Sequence, residues 1–190
     1  MKQDNRGFTL VELIVCIVIF SIVMLAAFGF MTAGSRSFTT VNTRIDRQLK
    51  AQLALNHVAD TLMNGCTGVS YTSGKLYVLT DNNGTPGYSV SVYGLSSGSL
   101  KYVRKSYSAA PTANTADGVT TLTYSVVGAA VKDLVASGVD TFSVTLNPVE
   151  AGKPTLASAV VKLKLKNDTK TYTQTVALRN KPQLVSVKTS

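Results

Sequence analysis

The chain has 190 residues, 45% hydrophobic and only 15% charged, and its 19 basic against 10 acidic residues give a formal net charge of +9. About that much chain builds one modest head without a second domain. The basic balance points instead toward anionic partners or a solvated surface.

The first seven residues, Met1 to Gly7, are polar and carry Lys2, Asp4 and Arg6. From Phe8 to Ala33 the chain is apolar except for one carboxylate, Glu12. As a helix, Phe8 to Met31 extends about 36 Å, enough to cross a hydrocarbon core of about 30 Å with some tilt. The basic residues ahead of the span favour a cytoplasmic N-terminus and an external remainder. An acid placed within such a span costs about 2.5–3.5 kcal/mol on insertion scales, so it calls for a function and a partner. A secretory signal cut near Ala27 or Ala33 is one alternative, although its apolar region has no use for an acid. An unprocessed single-span anchor is another.

The residues Gly7-Phe8 followed by Glu12 and an apolar helix resemble the start of the type IV prepilin family, which includes pilins and the pseudopilins of type II secretion and competence. The resemblance covers about the first 30 residues. It implies that a membrane peptidase cuts between Gly7 and Phe8 and methylates the new amino terminus of Phe8. It also implies that Glu12 serves assembly, meeting the amino terminus of a neighbouring subunit and setting axial register. Within one mature subunit the amine of Phe8 and the acid of Glu12 would share a helix face, four residues apart.

Beyond the span, Phe38, Val41, Ile45, Leu49, Leu53, Leu55, Val58 and Leu62 recur mostly at three- and four-residue steps, which predicts an amphipathic helix whose apolar face is covered. Asn64-Gly65 is a stop, so one helix from Phe8 to about Asn64 would reach about 85 Å. Gly29 and Gly34 mark close packing or curvature near the outer edge of the span, with no proline before Pro86 to kink it.

From Cys66 the composition turns to Ser, Thr, Gly, Val and Tyr, the chemistry of strands and turns. Strands are expected at Leu76–Thr80, Tyr88–Tyr93, Leu100–Ser106, Thr120–Val127, Thr141–Leu146, Ala159–Leu165 and Tyr172–Leu178. Turns are expected at 81–87, Ser96-Ser97-Gly98, 147–154 and Asn167-Asp168, with a loop from Ala109 to Gly118. The short Asn167-Asp168 turn makes the final three strands an antiparallel meander, and Val161 to Lys166 alternates so that one face is buried and the other presents lysines. This ending has a distant similarity to the C-terminal sheet of minor pilins and the larger minor pseudopilins.

Two basic groups suit nucleic acid: Lys101, Arg104 and Lys105, interleaved with Tyr102 and Tyr107, and the ladder Lys162, Lys164 and Lys166. A solvated, aggregation-resistant face explains either group as well. His57 has only Asp60 near it in sequence, and Asp81-Asn82-Asn83-Gly84 lacks the spacing of a calcium loop, so no metal site and no cofactor are expected. Cys16 and Cys66 would stand about 75 Å apart along a helix, against roughly 4.4–6.8 Å for a disulfide, so both are expected to be buried free thiols, with an intersubunit bridge through Cys66 left open.

The expected fold class is therefore α+β, pilin-like: leader 1–7, membrane and assembly helix 8–33, amphipathic helix 34–65 and β-rich head 66–190. The expected function is a non-enzymatic fibre subunit, a minor component, held in the bilayer and then assembled. Its expected partners are a prepilin peptidase, other subunits, a membrane assembly platform and its ATPase; the alternative is a fibre-tip or membrane-tethered module that binds DNA or a surface.

Overall fold

The computed structural model describes residues 9–81, 87–109, 111–116 and 119–189. The chain divides into two compact units, Met1–Asp46 and Arg47–Ser190. Among the described residues there is one α-helix, α1 (Leu10–Met63), and twelve strands.

The first part of α1 is apolar on every side, with Leu10, Ile14, Phe20 and Phe30 all exposed. It is long and apolar enough to cross a membrane. Its few hydroxyls are satisfied within the helix: Ser21 Oγ donates to Ile17 O at 2.7 Å and Thr32 Oγ1 to Phe28 O at 2.9 Å. That self-sufficiency is what hydrocarbon demands of a polar group. Gly29 and Gly34 do not interrupt the helix, and nothing stands within 4 Å of a Cβ placed on either. The stop is where the sequence places it, with Gly65 in the left-handed region at φ +70°.

In the second unit the helix buries Ala51, Ala54, Leu55, Val58, Ala59 and Leu62. The expected covered face was wrong in part. Phe38, Val41, Ile45, Leu49 and Leu53 are all more than half exposed. Large residues at four-residue steps drift around the helix, and the face that meets the sheet instead uses alanines, whose small side chains let the backbones approach.

The strands are β1 (Gly68–Thr72), β2 (Lys75–Asp81), β3 (Tyr88–Ser96), β4 (Ser99–Tyr107), β5 (Thr112–Ala116), β6 (Val119–Val126), β7 (Asp133–Ser137), β8 (Val139–Pro148), β9 (Leu156–Leu165), β10 (Thr171–Ala177), β11 (Gln183–Leu184) and β12 (Ser186–Thr189). They form a six-stranded sheet ordered β11-β1-β2-β3-β4-β7 and two three-stranded sheets, β10-β9-β8 and β12-β6-β5. All seven expected strands are present, and β8-β9-β10 is the expected meander. Five strands were missed, including β5 inside the stretch read as the loop Ala109 to Gly118. Two hairpins close on two-residue turns with both φ values positive, Ser73-Gly74 and Ser97-Gly98, which matches the right-handed twist of their strands.

The six-stranded sheet is buried on both faces. One face joins α1 and β10-β9-β8 around Val78, Tyr93, Leu100, Phe142 and Leu163. The other packs Tyr77, Leu79, Val90 and Val92 against Tyr124 and Val126 of β6 and Val185. The sheet thus separates two hydrophobic cores within the second unit. The alternation Ser89-Val90-Ser91-Val92 reads as one-sided, yet Ser89 and Ser91 are buried too, and Ser89 Oγ meets Ser106 Oγ at 3.1 Å.

Candidate functional site

The N-terminus of α1 carries the candidate site. Gly7 and Phe8 lie outside the described residues. Thr9 precedes the first helical residue, and its Oγ1 accepts the Glu12 backbone N–H at 3.3 Å while its carbonyl accepts that of Leu13 at 3.2 Å. Thr9 is therefore an N-cap, and Glu12 sits in the first turn at the third helical position. Thr-x-x-Glu is the sequence pattern of a capping box, so this cap is legible in the sequence as well. Glu12 is placed by this cap where helix N–H groups lack internal partners and the helix dipole favours negative charge. Its side chain is exposed, as are its neighbours.

A family model of the prokaryotic N-terminal methylation motif matches residues 2–28. The chain carries the type IV prepilin-like signature. This signature spans Gly7, Phe8 and Glu12 and runs into the apolar part of α1, and the α+β, pilin-like architecture of helix and antiparallel-rich sheets accompanies it. No curated protein and no solved structure gives a significant match to the chain.

The six basic residues suited to nucleic acid stand in separate places. On β4, Lys101 and Lys105 point to the face shared with Val103 and Tyr107, whereas Arg104 shares the face of Tyr102. Lys105 Nζ donates to Val127 O at 3.1 Å and lies 5.6 Å from the Tyr107 ring centroid. Tyr107 in turn stacks on Tyr88, so neither of these aromatics is a free platform. Arg104 opens on a polar cavity of about 210 Å³ with His57, Asp60 and Ser91. On β9, Lys162 and Lys164 occupy the outer face: Lys164 lies between Thr141 and Thr171, and Lys162 between Ser143 and Thr173. Lys166 lies apart, beside Gly98 of the β3–β4 turn.

His57 is an exposed residue tied to the sheet. Its Nδ1 is 2.9 Å from the Tyr93 hydroxyl, which also meets Thr61 Oγ1 at 2.6 Å, and burial raises the pKa of Tyr93 well above the usual phenol value. Thr61 Oγ1 donates to His57 O at 3.0 Å, and the Tyr93 hydroxyl also reaches His57 O at 3.3 Å, so three groups of one helical turn converge on the Tyr93 oxygen. Asn82 to Gly84 of the expected turn lie outside the described residues.

The two thiols differ. Cys66 is buried, donates to Gly68 O at 3.4 Å and is pushed up to about 12 by burial, which leaves it inert. Cys16, also expected to be buried, is exposed on the first unit, as its neighbours in α1 are. A last contact had no sequence signal: Arg47 Nη1 donates to Asn167 O at 3.0 Å, joining the helix to the β9–β10 turn.

Proposed function

We propose that this chain is a structural subunit, a minor one, of a type IV pilus-like or type II secretion or competence pseudopilus fibre. The observation that carries the reading is the coincidence of the methylation motif at residues 2–28 with a helix that is apolar on every side and has Glu12 in its first turn. In this reading a prepilin peptidase cuts between Gly7 and Phe8 and methylates Phe8. The span holds the subunit in the bilayer with its N-terminus in the cytoplasm, and an assembly platform with its ATPase moves it into the fibre. There the apolar part of α1 exchanges lipid for neighbouring helices, and Glu12 meets the amine of an adjoining Phe8. Exposed Phe38, Val41 and Ile45 of the first unit support the same reading, because they carry apolar surface beyond the span. An intact-mass measurement tests it: a mature chain beginning at Phe8 with one added methyl group is expected, and a terminus at Phe28 or Gly34 would establish a cleaved signal instead.

A second reading, a module that binds DNA or a surface, is favoured by the outer face of β8-β9-β10. Its two lysines are each flanked in register by two hydroxyls, a suitable lining for phosphate. Loss of salt-dependent DNA binding in a Lys162→Gln, Lys164→Gln double variant would support it. DNA binding that is absent, or unchanged in that variant, would remove it.

A further inference from the structure

The neighbour of β1 on its outer side stops short. Gln183 N–H donates to Thr67 O and Val185 N–H to Val69 O, both at 3.0 Å, so the odd-numbered residues of this strand face that side. The next in the series is Tyr71. Beyond Val185 the chain leaves this sheet and pairs as β12 with β6, Ser186 opposite Thr123. The fork so formed leaves a cavity of about 450 Å³ walled by Ser70, Tyr71 and Thr72 on one side and Leu146 and Val187 on the others. Leu146 and Leu184 also border a second cavity of about 370 Å³, which Pro148 and Leu156 help to line. Among the described residues no strand lies beside Ser70 to Thr72 on this edge of β1, the two cavities along it share Leu146 and Leu184, and Leu184 is 45% exposed. Protein edges are commonly guarded by charge, proline or a bulge, and Ser70 to Thr72 carry none of these. Among the described residues lining the two cavities, Lys153 carries the only charge.

We propose that this edge receives an extended segment of a different polypeptide, added as a strand beside β1 at Ser70–Thr72. The backbone N–H and C=O of Tyr71 supply a donor and an acceptor for main-chain pairing, which a lipid or small apolar molecule does not reciprocate. Alternate side chains of the segment lie over Leu146 and Leu184, and an acidic residue meets Lys153. A second copy of this chain, at +9, is the less suitable occupant, since an acidic segment answers both Lys153 and the basic surface. The site is built from residues of the second unit alone and does not depend on entry into a fibre.

The test uses the full chain in detergent micelles and an eight-residue probe of alternating valine and threonine with a glutamate at one end. Binding is read by fluorescence anisotropy and by hydrogen exchange at the Tyr71 amide. Two isomers of the probe, N-methylated on the even or on the odd residues, lose the donors of one edge each. The expected results are at least tenfold slower exchange at Tyr71 when the probe binds, at least tenfold weaker binding of one isomer than the other, and at least tenfold weaker binding to Leu184→Lys. The two isomers decide the matter even if Leu184→Lys fails to fold. Absence of probe binding, an unchanged Tyr71 amide, or equal binding of the two isomers would overturn the proposal.

Discussion

Glu12 is the residue on which the proposed assembly turns. Glu12→Val removes an acid that is expensive in lipid, so the amount of chain in the membrane should hold or rise, and cleavage after Gly7 should continue because both neighbours of the bond remain. The valine variant should fail to enter fibres, since an unmatched amine in a low-dielectric core costs about 3–5 kcal/mol. Comparing membrane and sheared-fibre fractions checks this, and normal incorporation would deny Glu12 the register role. Asp168 offers a test in the head. The Lys170 backbone N–H at 3.0 Å and the Tyr172 hydroxyl at 2.9 Å hold its carboxyl below the usual carboxylate range. Its contribution to stability is therefore present above the unfolded value of about 3.9 and lost as pH falls through the lower folded value. Acid titration of unfolding should show that loss in the wild type and not in Asp168→Asn. Of the two carboxylates, Glu12 was legible in the sequence because a lone acid in an apolar run is costly, whereas Asp168 was legible only as part of a turn. The Thr9 cap was as legible as Glu12, whereas Arg47 on Asn167 O was not, because 120 residues separate donor and acceptor.

At the scale of elements, sequence period gave the type of structure better than the face. The helix was read correctly to its glycine stop, but Leu49 and Leu53 were assigned to the core while Ala51, Ala54 and Ala59 hold that place. Hydrophobicity alone cannot register that a close-packed contact selects small side chains. Ala54→Leu should cost about 1–3 kcal/mol by overpacking, and Leu53→Ala, on the exposed side, about 0.5 kcal/mol or less, both by urea unfolding. If Leu53→Ala proves the more damaging, the packed face is misassigned. The seven strands found from sequence are those with strong β-branched or aromatic character. The missed ones are short, and β5 and β7 with their Ala, Asn, Asp and Ser look like loops until a neighbouring strand completes their hydrogen bonds.

For the whole molecule, the apolar part of α1 and the second unit differ in the solvent they suit. A fragment beginning at Ser35 should stay soluble and unfold in one cooperative transition, and precipitation or a gradual melt would show that the unit needs the preceding residues or a partner. The order in which its strands join has a further consequence. β1 meets β11, with Gly68 opposite Gln183, and β6 meets β12, so both pairings wait on residues 183–189, which follow nearly everything they close upon. Closing so long a loop is slow on the scale of local hairpins. A chain that emerges from its N-terminal end would therefore hold β1 and β6 each with one edge unpaired until residues 183–189 arrived, so these two pairings are the last to latch the sheets.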